Sequence, residues 1–319
     1  MNLLIIGRAG FLGTNLVRYC LREPGNCITV LDSLDPRLRA NTDNLRNVWN
    51  QIRFIRGSMG DEHLIAEVVQ GQDIIFNCAA QTSHPLSLQD PLFDAEINCL
   101  GNLKLLEAIR LLNRQARVIY TSSSTVIGKA VNDIIDEMHW ERPLDIYSAN
   151  KGVVEKYYHI YNRVYDLHTV VLRFANLYGP YGKGFPEFGF LNYFIHLAWT
   201  GQGIKVFGSG EQTRNVMYVE DAVKILYHAA QDDRLKGEMF FAVHDEHYSV
   251  VDIANTVVKI FGRGNVTHID WPEERRRIEI DRVQISSSRL RSITGWLPSY
   301  SLDQGLKKTK EYLESQVEK

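Results

Sequence analysis

Apolar residues recur along this chain in short unbroken runs, each followed by a stretch of helical spacing. Asn2-Leu3-Leu4-Ile5-Ile6 is the first such run, and a run without alternation predicts a strand buried on both faces of a parallel sheet. Ile28 to Leu31, Ile52 to Ile55, Asp73 to Phe76, Val118 to Tyr120 and Val170 to Leu172 repeat the pattern. Between them lie helical segments: Leu16, Val17, Tyr19 and Cys20, then His63 to Val69, about Asp94 to Leu112, and about Tyr147 to Tyr165. Strand alternating with helix predicts right-handed crossovers, and hence an α/β fold with a doubly wound parallel sheet. The alternation breaks between Gly179 and Gly210, where Tyr181, Phe185, Phe188, Phe190, Tyr193, Phe194 and Trp199 cluster with Pro180 and Pro186. This stretch predicts an excursion into a second, smaller lobe over the cleft. A strand at Val216 to Val219 and a helix from Asp221 to Ala230 follow, and helices at Val250 to Phe261 and Leu302 to Leu313 mark the remainder.

Composition narrows the function classes. A chain of 319 residues with 45% hydrophobic and 23% charged positions buries a large core, with room for about two domains. Its net charge of -2 provides no global attraction to nucleic acid or to an anionic membrane, so any anion must be recognised locally. Cys20, Cys27, Cys78 and Cys99 show neither C-x-x-C pairing nor a histidine cluster at zinc spacing. They read as buried thiols in a reducing compartment, with no metal site. The run Leu3 to Ile6 is too short for a signal segment, and no stretch approaches the roughly 18 apolar residues of a membrane span. A cytoplasmic location is the default expectation.

Two motifs bring in chemistry. Gly7, Gly10 and Gly13 sit at spacing G-x-x-G-x-x-G, with Phe11 and Leu12 inside the turn, between the first strand and the first helix. Glycines there allow a tight turn and let a dinucleotide pyrophosphate approach the backbone at the helix's positive end. Asp32 ends the next strand 19 residues after Gly13, where a carboxylate accepts from ribose hydroxyls and repels a 2'-phosphate. NAD is therefore expected over NADP, with Arg8, Arg37 and Arg39 the residues able to reverse that preference. The second motif is Tyr147-Ser148-Ala149-Asn150-Lys151, a phenol and an ammonium four residues apart on one helical face. A lysine that close is expected to lower the phenol's pKa from about 10 and make Tyr147 a proton carrier.

The glycine turn together with Y-x-x-x-K resembles the extended short-chain dehydrogenase/reductase family, over nearly the whole chain. The resemblance implies a Rossmann NAD-binding domain over 1–175, with a return at about 215–240. A substrate-binding lobe would comprise 176–214 and 241–319. Asn77-Cys78-Ala79-Ala80 looks like the turn that runs along the cofactor, with Asn77 where the family often has His. Asn98 matches a position supporting the cofactor site. Ser58-Met59 falls where the family usually has Asp and an apolar residue at the adenine. Counting back from Gly128, Ser123 matches the catalytic hydroxyl beside Tyr147, and Lys151 would also hold the nicotinamide ribose.

The next two positions discriminate reactions within that family. Sugar-nucleotide 4,6-dehydratases carry acids there, whereas this chain has Ser124 and Thr125, the pattern of UDP-glucose 4-epimerase-like members. The resemblance therefore implies oxidation of a nucleotide-diphosphate sugar to a 4-keto intermediate, rotation, and return of hydride to the other face. Asn176, in Leu172 to Pro180, and Arg214, in Phe207 to Arg214, match residues that contact the substrate diphosphate, and a guanidinium fork suits phosphate. Arg275 to Arg277 are offset by Glu273, Glu274, Glu279 and Asp281 and read as a solvated stretch. His84, after Ser83, could touch the sugar or be an ordinary loop histidine. A net-redox enzyme of the same family and a cofactor-sensing protein without chemistry stay open, and a homodimer through paired helices is expected.

Overall fold

The computed structural model describes residues 1–7, 10–39, 41–277, 279–280 and 282–317, without the side chains of Thr42, Glu274 and Arg275. The apolar runs form the expected strands: β1 (Asn2–Ile6), β2 (Cys27–Asp32), β3 (Ile52–Arg56), β4 (Ile74–Asn77), β5 (Arg117–Ser123) and β6 (His168–Phe174). With strand Met239–Phe241 they make a seven-stranded sheet ordered 239–241, β6, β5, β4, β1, β2, β3. β1 runs parallel to both β2 and β4, β2 to β3, and β4 to β5. Leu3, Leu4 and Ile5 are fully buried, as a strand covered on both faces requires. The order reverses between β1 and β4, and at such a reversal the carboxyl ends of the strands leave a crevice. The fold is thus the doubly wound α/β sheet that the hydrophobic pattern predicts.

The chain divides into two compact units. The first comprises Met1–Val126, Asp145–Arg173 and Val223–Phe240, and the second Ile127–Leu144, Phe174–Ala222 and Phe241–Lys319. In the first, Leu4, Ile75, Val118 and Tyr120 of the sheet pack on Leu105 and Ile109 of helix Gly101–Leu112 and on Val154 and Tyr158 of helix Ile146–Tyr165. The second holds a three-stranded sheet ordered His247–Ser249, Thr213–Tyr218, Asn176–Tyr178, and a parallel pair Val266–Ile269 with Ile204–Phe207. Its core gathers Phe194, Ile195, Val206, Ile253, Val257 and Leu306.

Three local readings change. Residues 127–144 cluster with the second unit, where Ile135 bridges Ile285 and Glu137 accepts from the Phe241 amide at 2.8 Å. The expected helix from Asp94 to Leu112 is interrupted: Pro91–Ala95 passes through a π-turn, Glu96–Leu100, before Gly101–Leu112. Asn102 Nδ2 donates to the Asn98 carbonyl at 3.0 Å, so a side chain competes for an acceptor in the widened turn. The aromatic stretch after Gly179 contains helix Phe190–Trp199, with Leu191, Phe194, Ile195, Leu197 and Ala198 buried.

Candidate active site

The helix Ile146–Tyr165 begins at Asp145, whose Oδ1 accepts from the Ser148 amide at 2.8 Å and satisfies one of the donors a helix start leaves open. That phase puts Tyr147, Lys151 and Glu155 on one face at successive four-residue steps. All three are buried. Ser123, the last residue of β5, hydrogen-bonds the Tyr147 phenol, and its Oγ lies 2.9 Å from Thr125 Oγ1. Ser148 Oγ in turn donates to Thr125 Oγ1 at 2.9 Å. Four hydroxyls, from Ser148, Thr125, Ser123 and Tyr147, therefore form one chain. Lys151 Nζ donates to the Thr121 carbonyl at 2.9 Å and stands 4.6 Å from the centre of the Tyr120 ring.

Electrostatics correct one expectation. Burial is the largest influence on the Tyr147 phenol and pushes its pKa upward; the Ser123 hydrogen bond opposes this, while Asp145 and Asp94 add to it. The Lys151 ammonium is tied to Thr121 and lies 5.9 Å from the Tyr147 ring centre, so it does not produce the expected fall. Lys151 itself is lowered to about 8, chiefly by burial, with Cys78, Asp94 and Glu155 pulling the other way.

At the sheet's reversal point the structure offers a cradle for a dinucleotide. Gly7 has φ +82, and a Cβ added there would lie 2.3 Å from Ala79 Cα, so only glycine lets the turns after β1 and β4 meet backbone to backbone. Gly10 caps helix Phe11–Cys20 without any side-chain hydrogen bond, leaving that helix's positive end uncovered by a cap. Gly13 is buried within this helix, whose first turn holds Phe11 and Leu12. Asp32, at the end of β2, accepts from the Leu34 amide at 2.8 Å. Ser58 Oγ accepts from the Gly60 amide at 3.0 Å just past β3, and Met59 is buried. Cys78, Ala79 and Ala80 follow β4, where Asn77 donates to Asn102 Oδ1 at 2.7 Å and to the Tyr158 hydroxyl at 3.1 Å. Asn98 donates to the Gln81 carbonyl at 2.8 Å from the π-turn. A close backbone approach, an uncapped helix start and a carboxylate at the second strand's end together fit a dinucleotide. Arg37 is committed to Asp35 at 2.6 Å, and Arg8 lies outside the described residues.

The candidates for the substrate diphosphate lie in the second unit. Asn176 Nδ2 donates to the Asn215 carbonyl at 3.0 Å. Arg214 pairs with Glu279 and donates to the Ile280 carbonyl at 2.8 Å. Arg277 pairs with Glu273, and the Arg275 side chain lies outside the described set. Among the described residues, no group of three His, Cys, Asp or Glu could hold a metal, and no helix is long and apolar enough to cross a membrane.

Several residues around Tyr147 escaped the sequence reading. Asp94 is buried and accepts from two side-chain amides, Gln81 Nε2 and Asn150 Nδ2, each at 2.8 Å. Nothing in the sequence marks that network, since its members lie on different elements. Asp145, by contrast, directly precedes a helix, and an Asp there is a recognisable cap.

Comparison with known proteins bears on this geometry. The model of the NAD dependent epimerase/dehydratase family matches residues 3–242. The UDP-glucose 4-epimerase of Mycolicibacterium smegmatis is 29% identical over 314 residues, covering 98% of each chain. The dTDP-glucose 4,6-dehydratase of Streptomyces niveus is also 29% identical, covering 98% of this chain and 92% of its own. Among solved structures, a UDP-glucose 4-epimerase of Thermotoga maritima with UDP-glucose superposes with a TM-score of 0.90 at 27% identity, covering 99% of this chain and 100% of that one.

Proposed function

The chain belongs to the NAD dependent epimerase/dehydratase family, and from that membership we propose that it inverts C4 of a nucleotide-diphosphate sugar through a transient 4-keto intermediate. The observation that supports inversion over dehydration is the fate of Ser124 and Thr125. Both are neutral hydroxyl residues, and the Thr125 hydroxyl is engaged by Ser123 and Ser148. Elimination of water needs an additional acid and base, and these groups supply neither.

Bound NAD would supply a hydride acceptor and a positively charged ring, held by Gly7, Gly10, Phe11, Leu12, Gly13, Asp32, Ser58, Met59, Cys78, Ala79, Ala80 and Asn98, with Tyr147 and Lys151. Burial keeps Tyr147 a phenol in the chain alone, so added positive charge is what turns it into a base. Lys151, tied to the Thr121 carbonyl, does not supply that charge in the chain alone; the nicotinamide ring would. Tyr147 then takes the C4 hydroxyl proton and later returns it, while Ser123 hydrogen-bonds the same oxygen. For the diphosphate we assign Asn176 and Arg214; in the second unit Arg214 is engaged by Glu279, so an arriving anion must displace a carboxylate. We assign a homodimer as the solution state.

The test is a panel of nucleotide sugars incubated with the purified protein and no added cofactor, read by NMR. Exchange between C4 epimers is expected. No exchange without cofactor but stoichiometric consumption of NAD(P)H once it is added, or accumulation of a 4-keto-6-deoxy product, would sink the proposal in favour of a net-redox enzyme or a dehydratase. Tyr147→Phe should lower kcat about 10²- to 10⁴-fold with NAD affinity near wild type.

A further inference from the structure

A second polar pair reaches Tyr147 from the opposite side of its sequence neighbourhood. His84, the first residue of helix His84–Gln89, places Nδ1 2.6 Å from Asp145 Oδ2. Its ring meets the Tyr147 ring edge to face, with centres 4.9 Å apart and planes at 78°. The other Asp145 oxygen caps the helix that carries Tyr147 and Lys151. One buried carboxylate thus anchors both the imidazole and the helix start. The Asp145 side chain is only 6% exposed, against 33% for His84.

We propose that His84 and Asp145 are a positioning pair for Tyr147: the imidazole braces the phenol ring and, by binding Asp145, draws that carboxylate's charge away from the phenol. This rests on the reading of Tyr147 as the proton carrier. The groups around the phenol show why a brace of this kind matters. Asp145 at the helix start and Asp94 from helix Pro91–Ala95 both oppose its ionisation, Tyr120 of β5 is a neutral neighbour, Ser123 donates to it, and Lys151 is the nearby cation. Burial alone would raise the Asp145 carboxyl, yet the His84 bond and charge and the Ser148 amide outweigh it and hold it below the ordinary carboxylate range. Without His84 that carboxylate would keep the Ser148 donors but lose its cationic partner, with its charge two residues from the phenol. A merely structural histidine would brace the loop and leave the phenol's acidity untouched.

Two substitutions separate these roles because they act in opposite directions. Asp145→Asn keeps a good helix cap and removes the charge. His84→Phe keeps an aromatic ring against Tyr147 and removes the partner. 3,5-Difluorotyrosine installed at position 147 brings the phenol's titration into a range where the fold holds, and 19F NMR reads its ionisation in the full chain without any turnover. His84→Phe is expected to weaken ionisation about tenfold, one pH unit upward, and Asp145→Asn to strengthen it by a similar factor. His84→Asn, whose amide can still donate to Asp145, should restore most of the lost acidity. No shift in His84→Phe, or shifts of both variants in the same direction, would overturn the proposal. Turnover by Tyr147→Phe would instead remove Tyr147 from the reaction, a separate result that leaves the titration standing.

Discussion

At the scale of single residues, the fold's handling of Lys151 makes the sharpest prediction. Burial lowers its pKa to about 8 from an ordinary value of 10.5, so between those values the unfolded chain holds a proton that the folded chain has released. Stability must therefore rise with pH across that window through this group, and the penalty for its charge is fully present below about pH 8. If the ammonium assists Tyr147, turnover should run the other way and fall as pH passes through about 8. A pH series of kcat alongside thermal melts would show both trends in the wild type and neither in Lys151→Met. The same residue shows where sequence reasoning stops. The helical period was enough to place Tyr147 and Lys151 on one face, whereas Ser123 came only from the family resemblance, counted back from Gly128. The direction of the phenol's shift was not legible, because it depends on burial and on Asp94 and Asp145, and only packing decides those.

At the scale of elements, the active helix is fastened to the sheet by a buried ion pair. Arg173 on β6 donates through Nε to Glu155 Oε1 at 2.8 Å and through Nη2 to Oε2 at 2.5 Å, and Ser122 Oγ donates to the same carboxylate at 2.5 Å. Arg173 is fully buried, so Glu155→Ala removes the carboxylate that balances its charge there. Urea unfolding should report a loss of about 3–5 kcal/mol for that variant. Replacing both partners by apolar residues, Glu155→Leu with Arg173→Met, should recover most of it; a double variant as unstable as the single one would show that the charges, not their pairing, are what the helix needs. The strands were readable because a parallel sheet demands unbroken apolar runs, and the helices because one face must repeat at 3.6. The π-turn at Glu96–Leu100 and the attachment of 127–144 were not, since side-chain acceptors and bridges to residues such as Ile285 set them.

At the scale of the whole molecule, the first unit leaves an apolar stripe outside its own core. On helix Ile146–Tyr165 the buried side is built by Lys151, Val154, Glu155, Tyr158 and Tyr161, yet Val153, Ile160 and Val164 are exposed, the last by 65%. With the half-buried Tyr157 they fall at steps of four, three and four, the seam spacing by which one helix packs on another. Leu100, at the start of the neighbouring helix, is also exposed, and Tyr157 touches Cys99 beside it at 3.8 Å. An apolar seam of this length is unfavourable in water, and in the proposed homodimer it would be covered by the same seam on a second copy, which a two-fold axis brings into register with itself. Ile160→Glu with Val164→Glu would place carboxylates on both sides of that axis, facing their own images, while the buried face and Tyr147 stay as they are. Light scattering on the eluted protein should then report about half the wild-type mass, with the circular dichroism spectrum unchanged. A variant that keeps the wild-type mass, or a wild type that is already a monomer, would assign the seam to something other than self-association.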